Sequence, residues 1–225
     1  MIDVRVYMAL SEADLVTKIE KILKKKFKTD LTFREISAGY GIADLVIAPS
    51  EMSGFISREP ITHFGTLKLF LELSRKRYTL DELYVLVPHV PRSNARKSIN
   101  FLLNNGYLSQ GSDGKYIKSE ISSKNEPIQK IIAIEAKLTD YRNGIIQAKR
   151  YQYFADQSYL AILSTASKHI DTESLLLSGI GLILFDEYTE TLTILKPKKV
   201  HDSVQEKTYR LFARELMLNQ LATSA

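Results

Sequence analysis

Two apolar, strand-like segments of this chain each carry one carboxylate, and these acids restrict the folds that the chain can adopt. Asp44 stands within the segment 42–48, and Glu135 stands within the segment 129–137. An ionised carboxylate is costly to bury unless it is paired, hydrogen-bonded or bound to a metal ion. A fold that contains both strands must therefore supply partners for both acids, and one economical arrangement places the acids side by side.

Glu135 is followed at spacing two by Lys137, and residues at this spacing point to the same side of a strand. Two carboxylates and a backbone carbonyl, such as that of Ala136, are ligands that Mg²⁺ prefers. A lysine beside them would orient or help to deprotonate a water molecule and would offset charge on a phosphate. Glu-x-Lys is common, however, and cross-strand ion pairs use the same residues, so a purely structural ion pair stays open as an alternative.

Glu12 is a third acid whose position is unusual. Ser11 is expected to cap a helix that carries an apolar stripe at helical spacing. At 100° per residue, Glu12 falls within this stripe and not on the lysine-bearing side. Two interpretations remain open: Glu12 belongs to the cap or frayed end of the helix, or it takes part in a site.

Composition excludes several classes of protein. The 225 residues contain no cysteine, so disulfides and thiolate zinc sites are excluded, and the four histidines include no pair at metal-ligand spacing. The chain has no apolar run long enough to span a membrane, and its first residues do not resemble a secretory signal. We therefore expect a cytoplasmic protein that does not enter the membrane.

The net charge of +5 has a defined location. Residues 58–118 contain ten Lys/Arg against five Asp/Glu, and the remainder of the chain contains equal numbers of each sign. A local excess of this kind is typical of a surface that binds a polyanion, although a balance of +5 is also common in proteins that do not bind nucleic acid.

The order of the predicted elements outside this basic segment alternates between strands and helices. Such alternation predicts an α/β fold with a mixed β-sheet flanked by helices. The predicted elements are a helix from Ser11, strands at 31–37, 42–48 and 129–137, a helix at 142–155, a strand at 159–164, a helix at 171–177, a hairpin at 179–199 and a closing helix at 203–221.

The segment 59–121 has a different pattern, three short helices followed by a small hairpin, which is the order of a winged helix-turn-helix. We therefore predict an inserted winged-helix domain at 59–121 within a discontinuous α/β domain at 1–58 and 122–225, with residues 122–127 as a linker. Docking to another protein is the alternative role for such a domain. The residues expected to contact DNA phosphates and bases are Arg92, Ser93, Asn94, Arg96, Lys97, Asn100 and Lys115.

The pattern of Asp44, Glu135 and Lys137 resembles the PD-(D/E)XK nucleases, a family with the restriction-endonuclease-like fold. The resemblance covers roughly residues 11–50 and 128–195. It implies that Asp44, Glu135, Ala136 and Glu12 bind the metal ion. The catalytic residues that it implies are Asp44, Glu135, Lys137, Gln147 and Tyr151. Gln147 and Tyr151 resemble the Gln-x-x-x-Tyr motif of RecB-like members, and this spacing places both side chains on one face of a helix.

Two features depart from the family pattern. Ala43 stands where the family has proline before the aspartate, and Asp44 and Glu135 are 91 positions apart, much farther than a hairpin requires. The predicted insert accounts for this excess length.

The resemblance implies a DNA endonuclease that depends on Mg²⁺, with Mn²⁺ able to substitute, and that acts on double-stranded DNA as a homodimer. A restriction enzyme is the leading subtype. Two alternatives stay open: a structure-selective repair or recombination nuclease similar to a junction resolvase, and a non-catalytic DNA-binding regulator. RNA also stays open as a substrate.

Overall fold

The structure, a computed structural model, describes residues 10–39, 41–49, 58–120, 128–198 and 204–224. These residues form two compact units, and each unit is built from two segments of the chain. The first unit comprises residues 1–50 and 129–206, and the second comprises residues 51–128 and 207–225. Within the described ranges, no helix is both long enough and apolar enough to cross a membrane.

The first unit is a six-stranded mixed sheet flanked by helices, which confirms the predicted mixed α/β class. The sheet order is β1-β2-β6-β7-β8-β9; β6, β7 and β8 are parallel, and the other neighbouring pairs are antiparallel. Its strands are β1 (Thr32–Ser37), β2 (Ile42–Ile47), β6 (Ile132–Lys137), β7 (Gln157–Leu163), β8 (Ile180–Asp186) and β9 (Thr191–Leu195). Its helices are α1 (Glu12–Phe27), α5 (Tyr141–Tyr151), a 3₁₀ helix (Ser164–His169) and α6 (Thr172–Leu177).

Local sequence determines where α1 begins and ends. The Ser11 side chain accepts a hydrogen bond from the amide of Asp14, and the Asp14 carboxylate accepts one from the Ser11 amide, as the capping pattern predicts. The helix ends where Lys28 adopts a left-handed conformation with φ of 50°. Its residues Leu15, Ile19 and Leu23 are fully buried against the sheet.

Each face of the sheet has its own core. On the α1 side, alternate strand residues such as Leu45, Ile134 and Ala136 pack together. On the other side, a second cluster includes Leu160 and joins the strands to α5 and α6. Because side chains alternate along a strand, Glu135 points toward the α5 side while both of its neighbours point toward α1.

The second unit contains short helices followed by a small antiparallel sheet of order β3-β5-β4. Its elements are α2 (Phe64–Glu72), β3 (Arg77–Tyr78), α3 (Leu80–Val85), α4 (Arg92–Asn104), β4 (Leu108–Gln110), β5 (Tyr116–Lys118) and α7 (Val204–Ser224), most of which lies in this unit. A separate apolar core includes Leu69, Ile99 and Leu102. The order of three helices and a hairpin matches the sequence expectation, and β3 is an additional strand.

The closing helix α7 was expected in the α/β domain, within residues 122–225. The structure instead packs most of this helix with the second unit. Glu215 on this helix is only 6% exposed and forms a two-pronged ion pair with Arg58, with N–O distances of 2.6 and 2.7 Å. Glu215 also accepts a hydrogen bond of 2.7 Å from the amide of Ile61, and Phe64 stacks on Tyr209. The sequence pattern of α7 indicated a helix but not its partner. The predicted linker at 122–127 lies outside the described residues. The predicted junction near residue 58 adjoins the range 50–57, which also lies outside them.

We predict that Glu215→Ala destabilises the second unit by about 3–5 kcal/mol, because it removes the carboxylate of a largely buried ion pair that also accepts from the Ile61 amide. Thermal unfolding followed by circular dichroism would measure the change. The matched control is Glu120→Ala, which removes an exposed ion pair to Arg75 and should change stability by less than about 1 kcal/mol. Equal effects of the two substitutions would contradict this account of α7.

Candidate functional site

The strands β2 and β6 separate at one end and form a fork. The ladder between β1 and β2 continues to Ile42, and the ladder between β6 and β7 continues to Lys137. The ladder between β2 and β6 stops at the pair of Leu45 and Ile134. Asp44 is the next residue on one arm of the fork, and Glu135 is the next residue on the other.

The carboxylate of Asp44 bridges the fork. Its Oδ2 accepts a hydrogen bond of 2.9 Å from the backbone amide of Ala136, a group that would otherwise have lost its partner on β2. Because the amide and carbonyl of one strand residue point to the same neighbouring strand, the Ala136 carbonyl also points into the fork. An aspartate oxygen and a backbone carbonyl are thus brought to the same gap.

Glu135 is almost completely enclosed, with 1% of its surface exposed. The hydroxyl of Tyr151 contacts its Oε2 and lies 2.6 Å from the carbonyl oxygen of Ile42. Its Oε1 lies 2.8 Å from Lys137 Nζ, but the approach is too oblique to be a hydrogen bond, so this buried oxygen has none. Burial raises the pKa of Glu135, and the charge of Asp44 adds to the increase.

Lys137 lies between two carboxylates. Its ammonium is 2.8 Å from Glu135 and 3.4 Å from Oε2 of Glu12. Burial alone would lower the pKa of Lys137, but the contact with Glu135 and the charges of Glu12 and Asp44 outweigh burial and raise it. The side chain is therefore a cation at neutral pH.

Glu12 differs from the inward position that its helical angle predicted. Its side chain is 49% exposed, and it reaches the site through Lys137 at the first turn of α1. Capping is performed by Ser11 and Asp14, so Glu12 is not needed for it.

The oxygen atoms in the fork fit a hard divalent cation. Burial raises the pKa of Asp44, and the only side-chain hydrogen bond that Asp44 makes within the described segments uses Oδ2. Glu135 contributes an oxygen that lacks a hydrogen bond. No group of three or more His, Cys, Asp or Glu side chains is arranged as metal ligands within the described part of the chain, so a bound ion would need the Ala136 carbonyl and water to complete its shell.

Tyr151 and Gln147 lie on α5, one helical turn apart. Tyr151 is fully buried against the site, whereas Gln147 is half-buried and makes no hydrogen bond to any residue that the structure describes. The structure thus joins Glu135, Lys137 and Tyr151 through direct contacts, and Asp44 reaches the same strand through the Ala136 amide. It brings Gln147 to the same helix as Tyr151 without a contact to the acids.

Two glycines make room for the site, and sequence reasoning did not identify either. A Cβ on Gly144 would lie 2.6 Å from Leu160 Cδ1 and 3.0 Å from Lys137 Cγ, so a bare glycine allows α5 to approach β6 closely. A Cβ on Gly41 would lie 3.1 Å from the Tyr151 ring. The available signal was a glycine within a helical pattern, which often marks close packing.

The residues predicted to contact DNA lie in the second unit. Those on α4 are all exposed, and Lys115 is exposed in the turn between β4 and β5. Arg92 covers the ring of Tyr84, at 5.4 Å from the ring centre. Asn94 and Lys97 also line a cavity of about 400 Å³ beside Phe101 and the start of α2.

Comparisons with known proteins identified no matching family model, no matching curated protein and no matching solved structure. The chemistry of the fork is therefore the basis for any statement about function.

We predict that Asp44→Asn stabilises the first unit by about 1 kcal/mol at neutral pH, the gain expected when a strained functional residue is replaced. Because the folded pKa of Asp44 is raised, its ionised form opposes folding, and the neutral amide can still accept from Ala136. Thermal unfolding should show the difference at pH 7 and show it shrinking as the pH falls toward the unfolded pKa of about 4.

The control for this prediction is Asp171→Asn. Asp171 caps α6, and its hydrogen bonds to Ser174 lower its pKa, so its ionised form favours folding. This variant should show no stabilisation. A lower unfolding temperature for Asp44→Asn at pH 7 would contradict the account of Asp44 as a strained carboxylate.

Proposed function

We propose that this chain is a metal-dependent DNA endonuclease of the PD-(D/E)XK type, and that its second unit is a winged-helix domain that binds DNA. The proposal rests on the fork between β2 and β6. There Oδ2 of Asp44 accepts a hydrogen bond of 2.9 Å from the Ala136 amide, and Glu135 and Lys137 stand on either side of Ala136 in β6. A buried and a half-buried carboxylate, both with raised pKa values, oppose folding when ionised, and a divalent cation would offset their charge.

Asp44, Glu135 and the Ala136 carbonyl would hold Mg²⁺ or Mn²⁺. The ion would supply Lewis-acid charge to the phosphate and to the attacking water. Tyr151 fixes one oxygen of Glu135, so the other oxygen has a defined direction.

Lys137 would supply positive charge at the fork. Its ammonium, in contact with Glu135 and Glu12, would offset negative charge on a phosphate held there. Glu12 and Glu135 hold its ammonium from two sides, which limits its motion. Without a metal ion or substrate, the same contacts would form a closed ion-pair network, which is the structure expected of the non-catalytic alternative.

The central prediction is that Lys137→Ala lowers DNA cleavage by about 10²–10³-fold while binding to DNA is retained, since a charge acting on the transition state is lost. Supercoiled plasmid with Mg²⁺, Mn²⁺ or EDTA is the assay for cutting, and a gel-shift assay in EDTA measures binding. The matched control is Lys130→Ala, which removes an exposed lysine just before β6, at the end of the strand opposite the fork.

Cleavage by Lys137→Ala at the rate of the unaltered protein would refute the catalytic assignment. DNA binding with no cleavage in either metal would favour the non-catalytic regulator. Discrete fragments from linear duplex would support a restriction enzyme, whereas nicks that require a branch would support a resolvase-like nuclease. Cleavage of both strands requires two such sites, so we expect two copies of the chain to act on one duplex.

We further predict that Arg96→Gln with Lys97→Gln weakens DNA binding at least tenfold at moderate salt, because two exposed cations of α4 are lost. Fluorescence anisotropy with labelled duplex measures the affinity. Substitution is a cleaner test than removal of the segment 60–118, because α7 belongs to the same unit and would lose its packing partner. The control replaces Arg75 and Lys76, which lie outside α4; an equal loss there would refute a specific role for α4.

A further inference from the structure

The outward side of α1 carries a dense group of lysines that the proposed function does not use. Residues 15–28 contain six lysines and one glutamate, a local balance of +5. Residues outside both 15–28 and 58–118 must therefore carry a net negative charge. The charge balance outside residues 58–118 is zero only because these acidic residues offset a second basic segment at 15–28. We define the α1 lysine face as Lys21, Lys25 and Lys28.

The carboxylates near α1 leave most of this charge uncompensated. Glu20 accepts from Thr32 and Arg34 on β1 and pairs with Lys24. Lys18 pairs with Glu190 in the hairpin of β8 and β9, and Lys21 also lowers the pKa of that glutamate.

The α1 lysine face itself is exposed. Among the described residues, no carboxylate lies within 4.0 Å of Lys21, Lys25 or Lys28. At 100° per residue, Lys21 and Lys25 lie on the side of the helix away from Ile19 and Leu23, which are buried, and Lys28 is exposed at the C-cap. The three lysines are therefore accessible to solvent along the outward side and the end of the helix.

The helix connects this face to the fork. Its first residue, Glu12, contacts Lys137, so α1 begins at the site and runs away from it. With a rise of 1.5 Å per residue, the α1 lysine face lies about 14–24 Å from Glu12 along the helix axis. Phosphates of one DNA strand recur about every 3.4 Å along the duplex, so for a duplex that lies along α1 this distance corresponds to about four to seven nucleotides.

We propose that the α1 lysine face is a second docking surface for the DNA backbone, separate from α4, which holds phosphates about four to seven nucleotides from the phosphate in the fork. This inference rests on the proposed function and deepens it, because it gives the first unit its own affinity for substrate. Lysine ammonium groups act as point charges that recognise phosphate without reading bases.

The test is the triple variant Lys21→Gln, Lys25→Gln, Lys28→Asn, studied as the full-length chain in EDTA. Glutamine favours helix, and asparagine tolerates the left-handed conformation of residue 28, so the fold should be retained. Each phosphate contact contributes about 0.9 to the slope of log affinity against log salt, so the slope should decrease by about 2–3. Binding at 0.1 M salt should weaken at least tenfold.

The matched control removes the same charge from elsewhere in the first unit with Lys130→Gln, Lys149→Gln and Lys196→Gln, all of which are exposed and lie outside α1. The control should keep the original slope. Neutral methylphosphonate linkages placed about four to seven nucleotides from the cut should weaken binding of the unaltered protein but not that of the α1 triple variant.

Three outcomes separate the possibilities. A reduced slope in the α1 triple variant alone supports the docking surface. Equal slopes for both triple variants, with DNA still bound, overturn this inference and leave the proposed nuclease intact. Failure of the unaltered protein to bind any duplex overturns the inference and the proposed function together.

Discussion

The hydrogen bond from the Ala136 amide to Asp44 is the contact on which the site depends. A sheet in which β2 and β6 separate must find new partners for the backbone groups that lose their ladder, and here a side chain of β2 replaces the backbone of β2. The gap that results admits side chains from two helices, Tyr151 from α5 and Glu12 from α1 through Lys137. One local departure from regular pairing thus brings four elements of the first unit to a single point.

The site contains ionisable side chains at positions where burial disfavours their charged forms. The pKa values of Asp44 and Glu135 are raised mainly by desolvation, whereas the pKa of Lys137 is raised by the acids around it. Such a cluster of shifted pKa values is typical of functional sites, because structural ion pairs usually form where solvent can share the charge. The buried Arg58 and Glu215 pair of the second unit is the contrasting case, where every oxygen of the carboxylate has a hydrogen-bond donor and the contact needs no ligand.

Sequence patterns predicted the elements well and their partners less well. Periodicity and capping residues indicated α1, the strands and the order of the second unit, because these signals are local. The acids Asp44 and Glu135 were recognisable because each interrupts an apolar strand. The exposure of Glu12, the close approach at Gly144 and the packing of α7 depend on residues far apart in the chain, and a single sequence does not encode such contacts as a pattern. The residues of the α1 lysine face can be read from the sequence, but their distance from the site depends on where α1 begins.

The division of each unit into two chain segments has a consequence for the order of folding. During synthesis, the carboxylate that neutralises Arg58 is added 157 residues after it. By then all six strands of the first unit have been made, because β9 ends at Leu195. The first unit can therefore assemble before the second is complete, whereas the ion pair between Arg58 and Glu215 forms only after the last helix has been made. A ribosome-bound chain that lacks α7 would therefore have an ordered first unit and an incomplete second unit.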